Sequence, residues 1–351
     1  MRGRLRHGGW RQSSCSAPCM SQSAIPVTQP VPTASLLIRR ARRLFTTVLV
    51  MYLTLLMLIA ILQRKLIYHP SNEAITPDVL AKLEGRSRDV QITSRDQLSL
   101  TGWLVDATIE REHAAPPAAD AANQAELAAN DSRSRPLVIY FQGNAGHRGR
   151  RVRQIDMLNR LGCDVLIFDY RGYGQNPGSP TEALLAEDAA AVWEFATGDL
   201  GRSASEIIIF GESLGGGVAT RLAADVCQSG TPPAGLVIRA SFSSLVDTAA
   251  YHYPWLPVRW VLLDRFPSAQ RIAQVTAPIL ILHGDRDQII PYEQAEVLYA
   301  AAPDQSRNGI AKRLVKLEGA GHNDILYVAY NEVRAALDGF VTQVVSGAPK
   351  R

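Results

Sequence analysis

The sequence predicts an α/β fold in which a mostly parallel, twisted sheet is covered by helices on both faces. From residue 137 onward, short apolar runs that indicate buried strands alternate with longer segments that indicate helices. A Gly-x-Ser-x-Gly sequence at residues 211–215 lies between one such strand and the helix that follows it. The chain has 351 residues, which is enough for one domain of this class and additional segments.

The first 44 residues carry eight arginines and no acidic residue, and they show no periodic pattern. We predict a disordered, basic cytoplasmic tail over residues 1–44. Because the whole chain carries +4 and this tail +8, the remainder carries a net charge of −4, which does not favour nucleic-acid binding. The four cysteines are too few for a disulfide framework, and Cys15 and Cys19 lack companion ligands, so no metal or other cofactor is predicted.

Residues 45–62 form an uncharged apolar run of 18 residues that would extend about 27 Å as a helix. We predict a transmembrane anchor, so a lipid bilayer is an expected partner. A cleaved signal peptide fits less well because no small-residue cleavage site precedes Arg64, and a buried core helix fits least because no polar face exists. The arginine-rich tail predicts a cytoplasmic N-terminus, with everything after residue 65 on the opposite side of the membrane. In a bacterial source that side is the periplasm.

The elements after the anchor follow in order. Residues 63–87 are predicted as a juxtamembrane linker and residues 88–345 as the main domain. Residues 89–93 and 98–105 alternate in polarity around a polar turn, which predicts an antiparallel hairpin. The Ala-, Pro- and Asp-rich stretch 107–136 is predicted as a surface insertion. Further strands are predicted at 137–141, 165–168, 207–210, 236–240, 279–282 and 314–317, with helices at 150–161, 181–195, 217–224 and 324–345.

The Gly-x-Ser-x-Gly sequence has the strand and helix context of a nucleophile elbow. Ser213 would lie on a strained turn that exposes its hydroxyl at the carboxyl end of the sheet. Gly211 and Gly215 flank it because a β-carbon at either position would collide with the turn. The N-terminal end of the next helix and the Leu214 N–H would point to the position of a developing oxyanion.

A serine nucleophile needs a base and an acid, which in this arrangement follow it in the order Asp, then His. Two aspartates, Asp285 and Asp287, follow the strand at 279–282. Asp285 lies directly in the turn and fits turn chemistry, so Asp287 is the preferred acid. His322 lies in a glycine-rich loop after the next strand and before the last helix, and it is the predicted base.

A second oxyanion donor should come from the loop after the strand at 137–141. This loop contains two glycines, which allow the backbone to approach a substrate closely, and the N–H of Asn144 is the expected donor. Residues 241–270 are predicted as a small cap. They carry aromatic residues that fit either internal packing or a lid over an apolar acyl pocket.

Five segments together resemble the α/β-hydrolase superfamily, and within it the single-pass, membrane-anchored serine hydrolases. The segments are FQGNAGH (141–147), FDYRGYGQNPGSPTE (168–182), GESLGGG (211–217), HGDRDQIIP (283–291) and GAGHND (319–324). The resemblance implies an α/β-hydrolase fold, a Ser213–Asp287–His322 triad and an oxyanion hole made by the N–H groups of Asn144 and Leu214. It also implies that residues 169–174 brace the elbow. Gln142 stands where the family loop usually has His.

The expected function is hydrolysis of acyl esters or thioesters, of lipid-like or small acyl substrates, through an acyl-enzyme intermediate. A peptidase on the same fold is an alternative, which would need a pocket for a charged peptide terminus. A membrane-tethered binding module without catalysis is a further alternative, and a broken triad would favour it.

Overall fold

The computed structural model describes residues 33–83, 85–107 and 135–347. Its strands are β1 (His69–Pro70), β2 (Ser87–Thr93), β3 (Ser99–Val105), β4 (Leu137–Phe141), β5 (Ala145–Gly146), β6 (Asp164–Phe168), β7 (Ile207–Glu212), β8 (Gly235–Arg239), β9 (Ile279–Gly284) and β10 (Arg313–Leu317). Its α-helices are α1 (Thr33–Ile67), α2 (Pro77–Ala81), α3 (Val152–Arg160), α4 (Glu182–Glu194), α5 (Leu214–Gln228), α6 (Leu245–His252), α7 (Val258–Val261), α8 (Ser268–Ile272), α9 (Glu293–Ala301), α10 (Ile325–Val328) and α11 (Tyr330–Ser346).

Within this described part, eight strands form one sheet in the order β10-β9-β8-β7-β4-β6-β3-β2. All neighbouring pairs from β10 to β6 are parallel, whereas β3 runs antiparallel to β6 and to β2. The mostly parallel sheet and the leading hairpin are therefore confirmed. The carboxyl ends of β4, β7, β9 and β10 lie at one edge of the sheet, so the loops that follow them can meet there.

Helices cover both faces of the sheet because successive strand residues point to opposite sides. In β4, Leu137 and Ile139 pack with residues of α4 and α5, and Val138 and Tyr140 pack with residues of α3 and α11. Each β4 residue is buried, which is why this strand appears in the sequence as an unbroken apolar run.

The apolar N-terminal helix is longer than the sequence predicted. Helix α1 continues beyond the run 45–62 at both ends, and residues 33–44, predicted as part of a disordered tail, are helical. Arginine, leucine and alanine are good helix formers, so the arginine cluster extends the helix instead of ending it. The helix is long and apolar enough to cross a membrane. The predicted tail before residue 33 lies outside the described residues.

The predicted linker 63–87 is folded against the main domain. The chain divides into one compact unit that ends at Thr54 and a second that begins at Leu55 and contains the whole sheet. Within the second unit, Gln63, Tyr68 and Leu83 are buried. β1 pairs with β5, with His69 opposite Ala145. Sequence periodicity could not reveal this pairing because each strand has only two residues.

The insertion predicted at 107–136 falls mostly on residues 108–134, which lie outside the described part of the chain. The predicted cap at 241–270 corresponds to the connection between β8 and β9. It contains α6 and α7. Helix α8 begins inside the predicted cap and ends two residues beyond it.

Candidate active site

Ser213 occupies a strained turn between β7 and α5. Its φ of 53° and ψ of −119° lie in a region that residues with a side chain rarely adopt. A β-carbon on Gly211 would collide with the carbonyl oxygen of Gly215, and one on Gly215 would collide with the carbonyl oxygen of Phe141. The two glycines therefore allow the close packing that keeps the turn in this conformation.

Hydrogen bonds from the end of β8 hold the same turn. The N–H of Ser213 donates to the carbonyl oxygen of Arg239 at 2.9 Å, and the Ser241 hydroxyl donates to the carbonyl oxygen of Ser213 at 2.7 Å. The backbone of Ser213 is therefore fixed on both sides, which leaves its side-chain hydroxyl available for contacts outside the turn.

The structure brings Ser213, His322 and Asp287 together in the order that the sequence predicted. His322 Nε2 lies 3.0 Å from Ser213 Oγ, and His322 Nδ1 lies 2.7 Å from Asp287 Oδ2. Because an ionised carboxylate can only accept hydrogen bonds, Nδ1 carries the proton and Nε2 presents its lone pair to the serine hydroxyl. This is the arrangement in which an imidazole can take a proton from serine.

Asp287, and not Asp285, contacts the imidazole. The second oxygen of Asp287 accepts the N–H groups of Ile289 and Ile290 at 2.9 and 2.8 Å. Asp285 accepts the N–H of Gly319 at 2.7 Å and thereby links two neighbouring loops. The preference for Asp287 in the sequence analysis agrees with these distances.

The electrostatic environment keeps Asp287 ionised. Burial raises the pKa of its carboxyl, but hydrogen bonds from His283 and His322 more than offset this, and the pKa lies well below the ordinary aspartate value. His283 Nε2 lies 3.3 Å from Asp287 Oδ2 and 2.8 Å from the carbonyl oxygen of Ile290. Because His283 is fully buried and cannot move freely, its contact helps to hold the Asp287 carboxylate in position. The sequence analysis missed it, although a histidine that ends an apolar strand was a usable signal.

The loop after β4 passes directly beside the serine. A β-carbon built on Gly143 would lie 3.5 Å from Ser213 Cβ. The carbonyl oxygen of Asn144 accepts the His69 N–H at 3.0 Å and the Tyr173 hydroxyl at 2.8 Å. The Asn144 side chain donates to the carbonyl oxygen of Ile67 at 2.9 Å. These bonds fix the orientation of the Asn144 backbone.

The segment 169–174 supports this loop more than it supports the elbow. The Tyr170 hydroxyl donates to the carbonyl oxygen of Gln142 at 2.7 Å, and the Gln142 side chain donates to Asp169 at 3.1 Å. Arg171 is buried and forms ion pairs with Asp188 and Asp96, so it has a structural role. The hydrogen bonds of this segment reach the loop after β4, which itself packs against Gly215 of the elbow.

A largely buried charged cluster lies beside Ser213 and His322. Glu212, which precedes the serine, forms ion pairs with Arg239 at 2.9 Å and with Arg151 at 3.4 Å. Burial raises the pKa of the Glu212 carboxyl, but the two arginines outweigh that effect and the pKa falls to about 2. Sequence analysis did not single out this cluster, although a charged residue at the end of the apolar strand β8 is an unusual feature.

The aromatic residues of the cap fall into a buried and an exposed group. Phe266 is buried and packs edge-on against Phe242, with ring centroids 6.1 Å apart. The other aromatic residues of the cap are largely exposed: Tyr251, Tyr253, Trp255 and Trp260. One part of the cap is therefore anchored in the core, and the other presents aromatic side chains at the surface.

Solved structures share this fold. The chain superimposes on a Pyrococcus furiosus esterase, Pf2001, with a TM-score of 0.57 and 20% identity, covering 79% of this chain and 98% of the esterase. It superimposes on an alpha-beta hydrolase from Vibrio vulnificus with a TM-score of 0.56 and 20% identity, covering 79% and 88%. At this level of identity, the likeness concerns the fold.

Sequence relatives agree with the fold. The family described as Serine aminopeptidase, S33, matches residues 132–271. The chain is 41% identical over 262 residues to the uncharacterized protein Rv2307c of Mycobacterium tuberculosis, which covers 75% of this chain and 81% of the relative. The chain belongs to the α/β-hydrolase superfamily. The fold and the superfamily expected from the sequence are confirmed.

A second group of relatives of this hydrolase carries a functional name. The chain is 36% identical over 192 residues to Lysophosphatidylserine lipase ABHD12 of Danio rerio, covering 50% of each chain. It is 34% identical over 212 residues to the protein of that name from Xenopus tropicalis, covering 56% of this chain and 53% of the relative. This hydrolase thus spans about half the length of those relatives.

Proposed function

We propose that the chain is a serine hydrolase that cleaves acyl esters or thioesters, with Ser213 as nucleophile, His322 as base and Asp287 as the acid that orients the base. The observation that carries the proposal is the continuous line of hydrogen-bonding contacts from Ser213 through His322 to Asp287. The strained conformation of Ser213 supports it independently, because strain of this kind concentrates at functional sites.

The reaction would proceed in two steps. His322 Nε2 takes the hydroxyl proton while Ser213 Oγ attacks the acyl carbonyl, and the imidazolium then gives this proton to the departing alcohol or thiol. Water, deprotonated by the same nitrogen, attacks the acyl-enzyme; the bond from the acyl carbon to Ser213 Oγ breaks, the imidazolium returns the proton to Oγ, and the acid is released. Asp287 keeps the imidazole in one tautomer and stabilises its positive charge.

The oxyanion hole in this proposal is formed by the N–H groups of Leu214 and Asn144. Leu214 is the first residue of α5, so its N–H has no partner within the helix and lies at the positive end of the helix dipole. Asn144 follows Gly143, the glycine beside Ser213. Each donor would contribute about 3 kcal/mol to transition-state stabilisation.

Lipid-like acyl esters are the proposed substrate class. The named lipase relatives, the esterase-like fold and the exposed aromatic side chains of the cap support it. A peptidase is the alternative that the name of the matching family suggests. An aminopeptidase must hold a cationic amino terminus. The cavity beside His322 is lined by four arginines and one carboxylate, that of Glu212, and this excess of positive charge favours esters.

We also propose that α1 anchors the enzyme in a membrane with its N-terminus in the cytoplasm. The exposed apolar surface of the helix supports anchoring, and the arginines at 39, 40, 42 and 43 support the orientation. Arg64 and Lys65 at the other end oppose this bias with fewer charges. Protease treatment of sealed vesicles tests the orientation: digestion of the domain from the cytoplasmic side alone would contradict it.

The proposed activity is tested with the full chain in detergent micelles. We expect hydrolysis of p-nitrophenyl esters, compared from acetyl to palmitoyl, with a maximum at one chain length, and labelling by a fluorophosphonate probe. Both should be lost in Ser213→Ala. Hydrolysis at the wild-type rate by Ser213→Ala would refute the mechanism. Labelling of Ser213 without cleavage of any ester or thioester, together with cleavage of peptides, would establish the peptidase instead.

A further inference from the structure

The end of helix α1 is hydrogen-bonded to the cap. The side chain of Gln63 donates to the carbonyl oxygen of Val261 at 3.3 Å and accepts the N–H of Leu263 at 2.7 Å. Gln63 is buried, whereas the residues on either side of it in the helix are exposed. Because the amide bonds the cap through both its nitrogen and its oxygen, the backbone of residues 261–263 is fixed relative to this turn of α1.

Asp264 attaches the cap to the same end of the helix. Its Oδ2 accepts hydrogen bonds from Arg64 Nε at 3.3 Å and from the Tyr68 hydroxyl at 3.0 Å. Asp264 and Tyr68 are both buried. Loss of either donor would leave a buried carboxylate poorly compensated, so these bonds resist separation of the cap from α1.

The attachment lies where the apolar surface of α1 ends. Gln63 directly follows the uncharged run 45–62, whose length of about 27 Å as a helix matches a hydrocarbon core of about 30 Å. The part of α1 that belongs to the same compact unit as the cap begins at Leu55, and Leu58, Ile61 and Leu62 are exposed there. In an anchored protein, Gln63 would therefore lie at the boundary between the hydrocarbon and the lipid head groups.

The cap exposes large apolar side chains beside this boundary. Trp260 directly precedes Val261, so its Cα lies about 3.8 Å from the Cα of a residue that is bonded to Gln63. Its indole is almost fully exposed, and Leu263 is largely exposed as well. Other exposed aromatic residues of the same segment are Tyr251, Tyr253 and Trp255. Trp and Tyr concentrate at membrane interfaces because one part of each ring is apolar and another part forms hydrogen bonds.

The charges of the cap are compatible with a lipid surface. Between residues 248 and 266 the sequence contains one acidic residue, Asp264, which is buried against α1. The same segment contains two arginines, and Arg259 remains exposed while it pairs with Asp247 at 2.8 Å. No exposed carboxylate of this segment would face the lipid phosphates, whereas an exposed arginine can approach them.

We propose that the cap segment 251–263 is a second membrane contact, in which Trp260 and Leu263 enter the interface of the bilayer that α1 crosses. The inference rests on the proposed anchoring by α1 and extends it to the main domain. A bilayer is the occupant that the geometry favours, because Gln63 and Asp264 hold this exposed surface beside the end of the apolar helix surface. The main domain would then be attached to the membrane at two places.

Tryptophan fluorescence of the full chain in phosphatidylcholine vesicles tests the contact. The emission of the wild type minus that of Trp260→Phe gives the contribution of Trp260. Lipid brominated near the head-group end of its acyl chains should quench this contribution about twofold or more, and lipid brominated near the chain ends should quench it less, because Trp lies at the head-group level. Trp193→Phe is the matched control: Trp193 is buried in the core with α4, so its contribution should not be quenched by either lipid.

Extraction of the vesicles with alkaline carbonate tests the anchor separately. Retention of a protein whose Trp260 is quenched by aqueous acrylamide and not by brominated lipid would overturn the cap contact and leave the anchor intact. Protection of Trp260 from both quenchers would indicate a protein partner, such as a second copy of this chain, and would overturn the lipid assignment. Quenching by brominated lipid in a protein that carbonate removes would support the cap contact and refute the transmembrane anchor.

Discussion

The elbow region, which comprises β7, Ser213 and α5, differs in construction from the cap at residues 241–270. In the elbow region most side chains are buried, and the glycines at 211 and 215 have no room for a methyl group. In the cap, Trp260 is 90% exposed and Tyr251 is 64% exposed. Close packing therefore determines the conformation of the elbow region, whereas the exposed side chains of the cap make few contacts within the chain. The following predictions test that difference, beginning with the largest effect.

Replacement of Asp287 by Asn should lower kcat about 10⁴-fold, because the amide can stabilise the wrong His322 tautomer and cannot support its positive charge. Steady-state hydrolysis of a p-nitrophenyl ester measures the effect. Asp285→Asn is the matched control, since Asp285 is two positions away and contacts Gly319 instead of the imidazole. It should retain kcat within about threefold, and a larger loss in the control than in Asp287→Asn would reverse the assignment.

Replacement of Gly215 by Ala should destabilise the domain by about 3 kcal/mol or more, because the new methyl group would meet the backbone of Phe141 and Gln142 and not a movable side chain. The midpoint of chemical denaturation measures this change. Gly198→Ala is the control: it adds the same methyl group where no atom lies within 4 Å. A destabilisation of similar size in both variants would show that packing at the elbow is not the cause.

The Glu212 carboxyl predicts a pH dependence of stability. Because its pKa in the folded chain is about 2, below the ordinary glutamate value, the carboxylate stabilises the fold above about pH 4.5, and this contribution is lost as the pH falls towards 2. The difference corresponds to about 3 kcal/mol. Glu212→Gln should therefore be less stable at pH 7 and should show a flatter acid limb in thermal unfolding between pH 5 and 2.5. An acid limb as steep as that of the wild type would contradict this origin.

The smallest effect is expected in the cap. Trp260→Ser should change the free energy of unfolding by less than about 0.5 kcal/mol, because the indole is almost wholly in contact with solvent in the folded chain. The same denaturation measurement used for Gly215→Ala gives a direct comparison. Phe266→Ala provides the internal contrast, since this ring is buried beside Phe242, and a loss of about 3 kcal/mol is expected there.

The sequence revealed the elements that local patterns encode. Buried strands such as β4 and β7 appear as unbroken apolar runs, and the glycines around Ser213 mark a turn that few other residues permit. The proximity of Asp287 and His322 could also be predicted from the order of the elements, because each residue lies in a loop after a strand of a parallel sheet. These features depend on residues that are neighbours in the chain or that follow from the order of elements.

The features that sequence analysis missed depend on contacts between distant residues. The pairing of His69 with Ala145 and the ion pair of Glu212 with Arg239 join positions that have no local periodicity in common. The start of α1 at Thr33 differs from the prediction for another reason: an arginine-rich segment without periodicity predicts disorder, although arginine is compatible with a helix. Whether a charged side chain can be buried depends on an oppositely charged partner, and that partner often lies far away in the sequence.

The hydrogen bonds between Asn144 and the end of α1 have a consequence for any form of the protein that lacks the N-terminal helix. The carbonyl oxygen of Ile67 accepts a hydrogen bond from the Asn144 side chain, and the His69 N–H donates to the Asn144 carbonyl oxygen, so the end of α1 helps to hold the loop after β4. Under the proposed mechanism, proteolytic cleavage after residue 70 would remove these contacts to Asn144, the proposed oxyanion donor, and would leave Ser213, His322 and Asp287 in place. Cleavage that released the domain from the proposed anchor would therefore also lower its turnover.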